Sequence, residues 1–150
     1  MTALDSSPSA DISLQLHHIG VVVASIEAHR DFYLNAPQYE QRTEVIHDPV
    51  QTAYVQFFLR PGADHYLELV APDGEASKLW TASRKGIPLN HLCYSCRDIC
   101  RTVSSLVESR CFLIQEPIEA VAFGGRRIAW LLSPDRLLIE LVKQGPKGSL

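Results

Sequence analysis

The chain repeats itself. The stretch LHHIGVVVASIEAHRDFYL, from Leu16, has the same layout as NHLCYSCRDICRTVSSLVES, from Asn90: a His, an alternating or apolar strand, a polar cap, then Ile and a helix. His18 and His91 stand 73 positions apart. YLELV, ending at Val70, matches LIELV, ending at Val142, and sets Glu68 and Glu140 72 positions apart. Unrelated single residues seldom keep such spacing, and internal self-similarity constrains the architecture before any element is read singly.

Each half reads as one strand, one helix and three strands. A strand at about residues 16–23 precedes a helix at about 26–34, which Ser25 can cap by accepting a backbone N–H bond, and Asp98 holds the equivalent place in the second half. TEVIH, QTAYVQFFLR and HYLELVA follow as β-prone runs, broken by Asp48-Pro49 and Pro61-Gly62. The second half supplies CFLIQEP, VAFGGRRIAWLLS with its Gly124-Gly125 turn, and RLLIELV. The expected fold is therefore α+β, two βαβββ modules at about 14–72 and 88–143 within one domain, 13–143. A helical linker containing SKLWTASRK joins them over 71–88, and residues 1–12 and 144–150 read as frayed tails.

Side chains alternate across a strand, so Leu67 and Leu69 face one way and Glu68 the other. Ile139 and Leu141 flank Glu140 in the same manner, and Ile19, Val21 and Val23 form a packed face that leaves His18, Gly20 and Val22 opposite. By that parity His17 belongs to the packed face, His29 to the first helix and His65 to a strand start, so none of the three is assigned a role. Taken singly, a strand-end Glu is usually solvated and a strand His is more often a core neighbour than a ligand. As a repeat-related quartet, His18, Glu68, His91 and Glu140 share one concave face. Half-buried carboxylates there cost several kcal/mol unless a cation offsets them. Two imidazoles and two carboxylates suit one divalent ion, zinc, manganese, cobalt, nickel or iron, with positions left open for water or substrate.

With 150 residues, 46% of them apolar, the chain can bury a core, and its net charge of −3 offers no footprint for nucleic acid or an anionic membrane. No stretch has the length and apolar content of a signal peptide or a membrane span, so a cytoplasmic protein with a small-molecule partner is expected. Cys93, Cys96, Cys100 and Cys111 are crowded together, a poor layout for a disulfide framework, and are expected as free thiols; Cys93 and Cys96 fall on opposite strand faces.

From about Leu16 to Val142, the motifs HHIGVVV, YLELVAP, SKLWTASRKGIPLNHLCYSC and AFGGRRIAWLLSPDRLLIELV resemble the vicinal-oxygen-chelate (glyoxalase) superfamily, and within it most the methylmalonyl-CoA epimerase branch. The resemblance implies curved sheets around a metal-binding cleft, with the family's ligands falling on His18, Glu68, His91 and Glu140. It implies a metal-dependent isomerase or lyase that removes a proton next to a carbonyl, through an enolate, on an acyl-CoA or other carbonyl substrate. Glu140 is the expected base and Glu68 the next candidate. The epimerases use a second acid/base, a Glu in the loop before the strand that precedes the first Glu ligand; here that region reads VIHDPVQTAYVQ, with no Glu, so His47, Asp48 and Gln51 are the residues near the position. Of these, His47 and Asp48 could transfer a proton, and Gln51 could bind substrate.

Arg126 and Arg127 could bind a carboxylate or a CoA phosphate, although a solvated hairpin tip explains them as well. Gly86-Ile87-Pro88 fits either a cleft wall or a turn, and Trp80, Phe58 and Trp130 are read as core or dimer contact. A glyoxalase I-type lyase, a ring-cleaving dioxygenase, an antibiotic-modifying transferase and a drug-binding resistance protein of the same fold are the competing functions. The complete quartet argues against the last three. A homodimer is the expected assembly.

Overall fold

The computed structural model describes residues 12–150, so the N-terminal tail expected over 1–12 lies outside the described residues except for Ile12. The first module begins with strand β1 (Gln15–Val22) and helix α1 (Ile26–Asn35). It continues through β2 (Glu40–Gln41), β3 (Ile46–Asp48), β4 (Ala53–Leu59) and β5 (Tyr66–Pro72). A short helix, α2 (Trp80–Lys85), leads to the second module: β6 (Leu89–Cys96), α3 (Ile99–Glu108), β7 (Phe112–Glu119), β8 (Arg127–Leu132) and β9 (Leu138–Lys143). The fold is α+β, as the repeat predicts, with a two-residue strand, β2, in addition.

Both long helices start where the polar caps stand. Ser25 Oγ accepts from the Ala28 amide at 3.4 Å, and Asp98 Oδ1 accepts from the Arg101 amide at 3.0 Å. The linker is helical over only part of its length; α2 closes at Gly86, whose φ of 63° is left-handed backbone that a side chain would disfavour.

The strands form one open, mixed sheet of nine, ordered β2-β4-β5-β1-β6-β9-β8-β7, with β3 paired to β4. Its centre is an antiparallel seam between β1 and β6, the first strands of the two modules. On either side of the seam the same parallel pairing recurs. Gly20 of β1 stands beside Glu68 of β5, and Cys93 of β6 beside Glu140 of β9. Each Glu thus sits level with the residue two beyond its module's ligand-candidate His, which is the repeat expressed as register.

The alternation sorts the core into faces. Val23, Ile26, Phe58, Leu67 and Leu69 pack in the first module, with Ile26 contributed by α1; Cys96, Ile99, Val103, Ala129, Leu131 and Leu141 do the same in the second, with Ile99 and Val103 contributed by α3. The other face carries a cluster shared by both modules, including Val22, Phe57, Val70, Cys93, Phe123, Ile128 and Val142. Cys93 and Cys96 fall in different clusters, as their spacing requires, and all four cysteines are free thiols.

The C-terminal segment departs from expectation. Residues 144–150 fold back on the sheet instead of fraying: the Arg126 guanidinium donates to the carbonyls of Lys143 and Leu150, and Leu150 packs on the shared cluster. The apolar end of an otherwise polar segment gives the tail an anchor, and the arginine supplies donors to these backbone oxygens.

Candidate metal centre

The shared face of the central strands gathers four polar side chains into one point. His18 comes from β1, Glu68 from β5, His91 from β6 and Glu140 from β9, and one ligand atom from each lies within 4.8 Å of the others. All four are buried, none more than 4% exposed. His18 Nε2 lies 2.9 Å from His91 Nε2 and 3.6 Å from both Glu68 Oε1 and Glu140 Oε2. His91 Nε2 lies 3.4 Å from Glu68 Oε1 and 3.1 Å from Glu140 Oε2.

These separations fit a cation. Ligand bonds of about 2.0–2.2 Å place neighbouring donors roughly 3.0–3.5 Å apart. The donor set, two imidazole nitrogens and two carboxylates, is that of an intermediate divalent metal. Two buried carboxylates also need positive charge, since each stripped of water costs several kcal/mol.

The chain partly supplies that charge itself with protons. Burial alone would lower the His91 pKa, but hydrogen bonds and charge from Glu140 and Glu68 outweigh it and raise the value to about 9. Burial would raise Glu140, yet hydrogen bonds with His18 and His91 hold it at about 2. Cys93, behind the quartet, is pushed well up by burial and by the same two carboxylates, and stays a thiol.

Packing fixes the His91 ring. A Cβ at Gly20, the residue opposite His91 across the seam, would lie 2.1 Å from His91 Cε1, so no side chain fits there without displacing the imidazole. Trp130 meets the ring edge-on at 4.8 Å.

The quartet opens onto a mostly apolar cleft of about 190 Å³. Glu68, His91 and Glu140 line it together with Asp48, Gln51, Gln115, Phe123 and Trp130. Gln51 Nε2 donates to Gln115 Oε1 at 3.3 Å and so bridges the two modules, and the Gln51 amide donates to Asp48 Oδ1 at 3.1 Å. Lys78 supplies a cation among the lining residues.

Of the five acid/base and substrate-binding candidates outside the quartet, Asp48 and Gln51 face the cleft and His47, Arg126 and Arg127 do not. His47 points away: its ring packs on Tyr54 and its Nε2 lies 3.0 Å from Asp73 Oδ2. Asp48 is the buried member of the pair because adjacent residues of β3 face opposite sides. Arg126 is engaged by the Phe123, Lys143 and Leu150 carbonyls, and exposed Arg127 lies 3.7 Å from Cys100 Sγ on α3. Neither arginine lines the cleft.

Two assignments change in the other direction. Trp130, read as core or dimer contact, lines the cleft. His17, expected on the packed face, turns to the shared face because β1 carries an extra residue there: Leu16 pairs with Tyr94 and His18 with Cys93. Its ring lies among Phe57, Tyr66 and Phe123, and its Nδ1 is 2.7 Å from His18 Nδ1. Burial, then the neighbouring His18, pushes its pKa down to about 4, so His17 is neutral at physiological pH.

The chain also matches known proteins. The profile of a family described as the Glyoxalase/Bleomycin resistance protein/Dioxygenase superfamily matches residues 17–130. Among solved structures, a hypothetical protein from Bacillus halodurans superposes with a TM-score of 0.80 at 22% identity, covering 92% of this chain and 99% of its own. Methylmalonyl-CoA epimerase from Mycobacterium tuberculosis superposes at 0.76 with 23% identity, covering 88% of this chain and 89% of its own. A Streptomyces coelicolor methylmalonyl-CoA epimerase variant solved with 2-nitronate-propionyl-CoA gives 0.74 at 20% identity, covering 88% and 98%. At such identities these likenesses establish the fold. No curated protein matches.

Proposed function

Because this chain belongs to the Glyoxalase/Bleomycin resistance protein/Dioxygenase superfamily, we propose that it is a metal-dependent enzyme that moves a proton at the carbon next to a carbonyl. The observation that carries the proposal is the buried quartet of His18, Glu68, His91 and Glu140 at the floor of an apolar cleft. The reading is epimerase-like, with an acyl-CoA thioester or related carbonyl compound as substrate.

When bound, a divalent ion would supply Lewis-acid polarisation of a carbonyl oxygen, worth several kcal/mol. The chain supplies the rest. Glu140 is the proton acceptor, with Glu68 as the alternative, since both reach the cleft from its floor. Asp48 is the second group able to give or take a proton, as an epimerase needs when the proton leaves one face of the carbon and returns to the other. The Gln51 amide donates to one Asp48 oxygen and fixes the carboxyl.

A cleft of about 190 Å³ is smaller than the roughly 300–1,000 Å³ of sites for drug-sized ligands. It therefore takes the small acyl end of a substrate, with Phe123 and Trp130 as its apolar walls and any larger carrier outside.

The test is metal content per chain, by elemental analysis of protein purified without affinity-tag metal, in wild type, His18→Ala and Glu140→Ala. Near-stoichiometric metal in wild type alone, followed by deuterium exchange at the α-carbon of methylmalonyl-CoA or a related thioester, supports the proposal. A hemithioacetal offered in parallel separates an epimerase from a glyoxalase-type lyase, which needs the same proton transfer. Wild type that stays empty when offered zinc, cobalt, nickel and manganese overturns it.

A further inference from the structure

The seam between β1 and β6 is interrupted twice, and the two interruptions are related by the repeat. Between Leu16 and His18, β1 holds one residue more than β6, and the extra residue is His17. Further along, Gly20 pairs with His91 while Val21 pairs with Leu89, so β6 holds the extra residue, and it is Asn90. In each module the bulge falls on the residue just before the cleft histidine.

A regular strand would send that residue to the opposite face; an inserted residue breaks the alternation and re-aims the side chain. Both side chains then reach the neighbouring ring. His17 Nδ1 lies 2.7 Å from His18 Nδ1, and Asn90 Oδ1 lies 2.7 Å from His91 Nδ1. The other nitrogen of each ring, Nε2, faces Glu68 and Glu140.

We infer that His17 and Asn90 are positioning residues, each accepting the Nδ1 proton of the following histidine and so turning its Nε2 lone pair into the cleft. An imidazole that carries its proton on Nδ1 presents Nε2 to a cation in one tautomer and one ring orientation. The chemistry of the acceptor differs between modules, a ring nitrogen in one and an amide oxygen in the other, while the geometry is the same. Asn90 also lines the cleft, whereas His17 is enclosed by Phe57, Tyr66 and Phe123. The Leu150 backbone also acts on the His17 ring, and Nδ1 is the nitrogen that stands beside His18.

As far as it concerns metal affinity, the inference rests on the metal-centre reading above; the His18 tautomer can be read without metal. In metal-free wild type with nitrogen-labelled histidine, NMR should show scalar coupling between the Nδ1 atoms of His17 and His18, with the His18 proton on Nδ1. Zinc affinity, by competition with a chromophoric chelator, should fall about 10- to 100-fold in His17→Phe and in Asn90→Leu. His17→Asn, which gives the first module the acceptor used by the second, should return most of the affinity.

Two results would overturn the inference: no coupling, with the His18 proton on Nε2, or His17→Phe and Asn90→Leu binding zinc as tightly as wild type. If His17→Phe fails to fold, Asn90→Leu and the wild-type coupling still decide. Wild type that takes up no zinc would defeat the metal-centre reading alone, and the coupling in that metal-free protein would still judge the His18 tautomer.

Discussion

The two modules give the quartet the same donor residues and different surroundings. Each offers a His on its first strand, a Glu on its last, and the same register between them. Beyond that they diverge. The first module brings Asp48 and Gln51 to the cleft, and the second brings Trp130, Phe123 and Gln115. Their helices differ too: α1 buries only Ile26, whereas α3 buries Ile99, Thr102 and Val103. The repeat thus supplies a near-symmetric set of donors, and the flanking strands make the cavity around it lopsided. A reaction that distinguishes the two faces of a carbon needs both properties.

The carboxylates test that comparison most strongly. If Glu140 is the base, Glu140→Gln should lower the rate of α-proton exchange by about 10²- to 10⁴-fold, as loss of a general base does. Glu68→Gln should lower it less. Equal losses, measured as kcat with saturating metal, would make the two halves chemically equivalent and break the contrast.

Packing comes next. Leu69 and Leu141 are both fully buried and occupy equivalent places in the repeat. Each Leu→Ala substitution should cost about 2–5 kcal/mol in urea unfolding. The loss should be larger for Leu141 if the better-anchored α3 leaves less room for collapse, and a larger loss at Leu69 would reverse the ranking of the modules.

Protonation tests the second module on its own terms, since His91 and Glu140 both belong to it. The His91 pKa is raised to about 9, so in metal-free protein its contribution is complete below about 6.5 and is lost as pH rises through about 9. The Glu140 pKa is lowered to about 2, so its contribution is present above about 4.5 and is lost as pH falls through about 2. Urea midpoints in chelator should therefore peak between about pH 4.5 and 6.5 and decline on both sides. A saturating divalent ion should remove the alkaline decline, since it replaces the His91 proton. A flat alkaline limb without metal would show that His91 is not the proton store.

The helix caps should show the smallest effect. Asp98→Ala should cost about 1 kcal/mol, and Ser25→Ala less, because the Ser25 bond is the longer of the two. Equal losses in thermal unfolding would mean that the cap lengths carry no energetic difference.

The quartet was legible because two His and two Glu kept step with a repeat, and strand parity put them on one face. The same parity misplaced His17, since a period of two assumes that no residue is inserted, and nothing in HHIG announces a bulge. Asn90 had a usable signal: it precedes its histidine as His17 precedes His18, so the repeat paired the two positions before the ladder did. His47 and Asp48 were adjacent candidates that only the register of β3 on β4 could separate. Trp130 is next to Ala129, whose side of β8 is packed under α3, and the cleft lies on the other side. Arg126 looked available to a ligand because the sequence does not show that residues 144–150 return to meet it.

The seam between β1 and β6 has a consequence for how the centre comes into being. Either half of the chain contributes only one imidazole and one carboxylate to the quartet, too few to hold an ion firmly, and the set is complete only when the two first strands zip together. An ion bound there would thus be a late clasp on an assembled sheet. Cut between β5 and β6, the chain would become two fragments whose reunion a divalent metal should promote: a split protein with its own chemical switch.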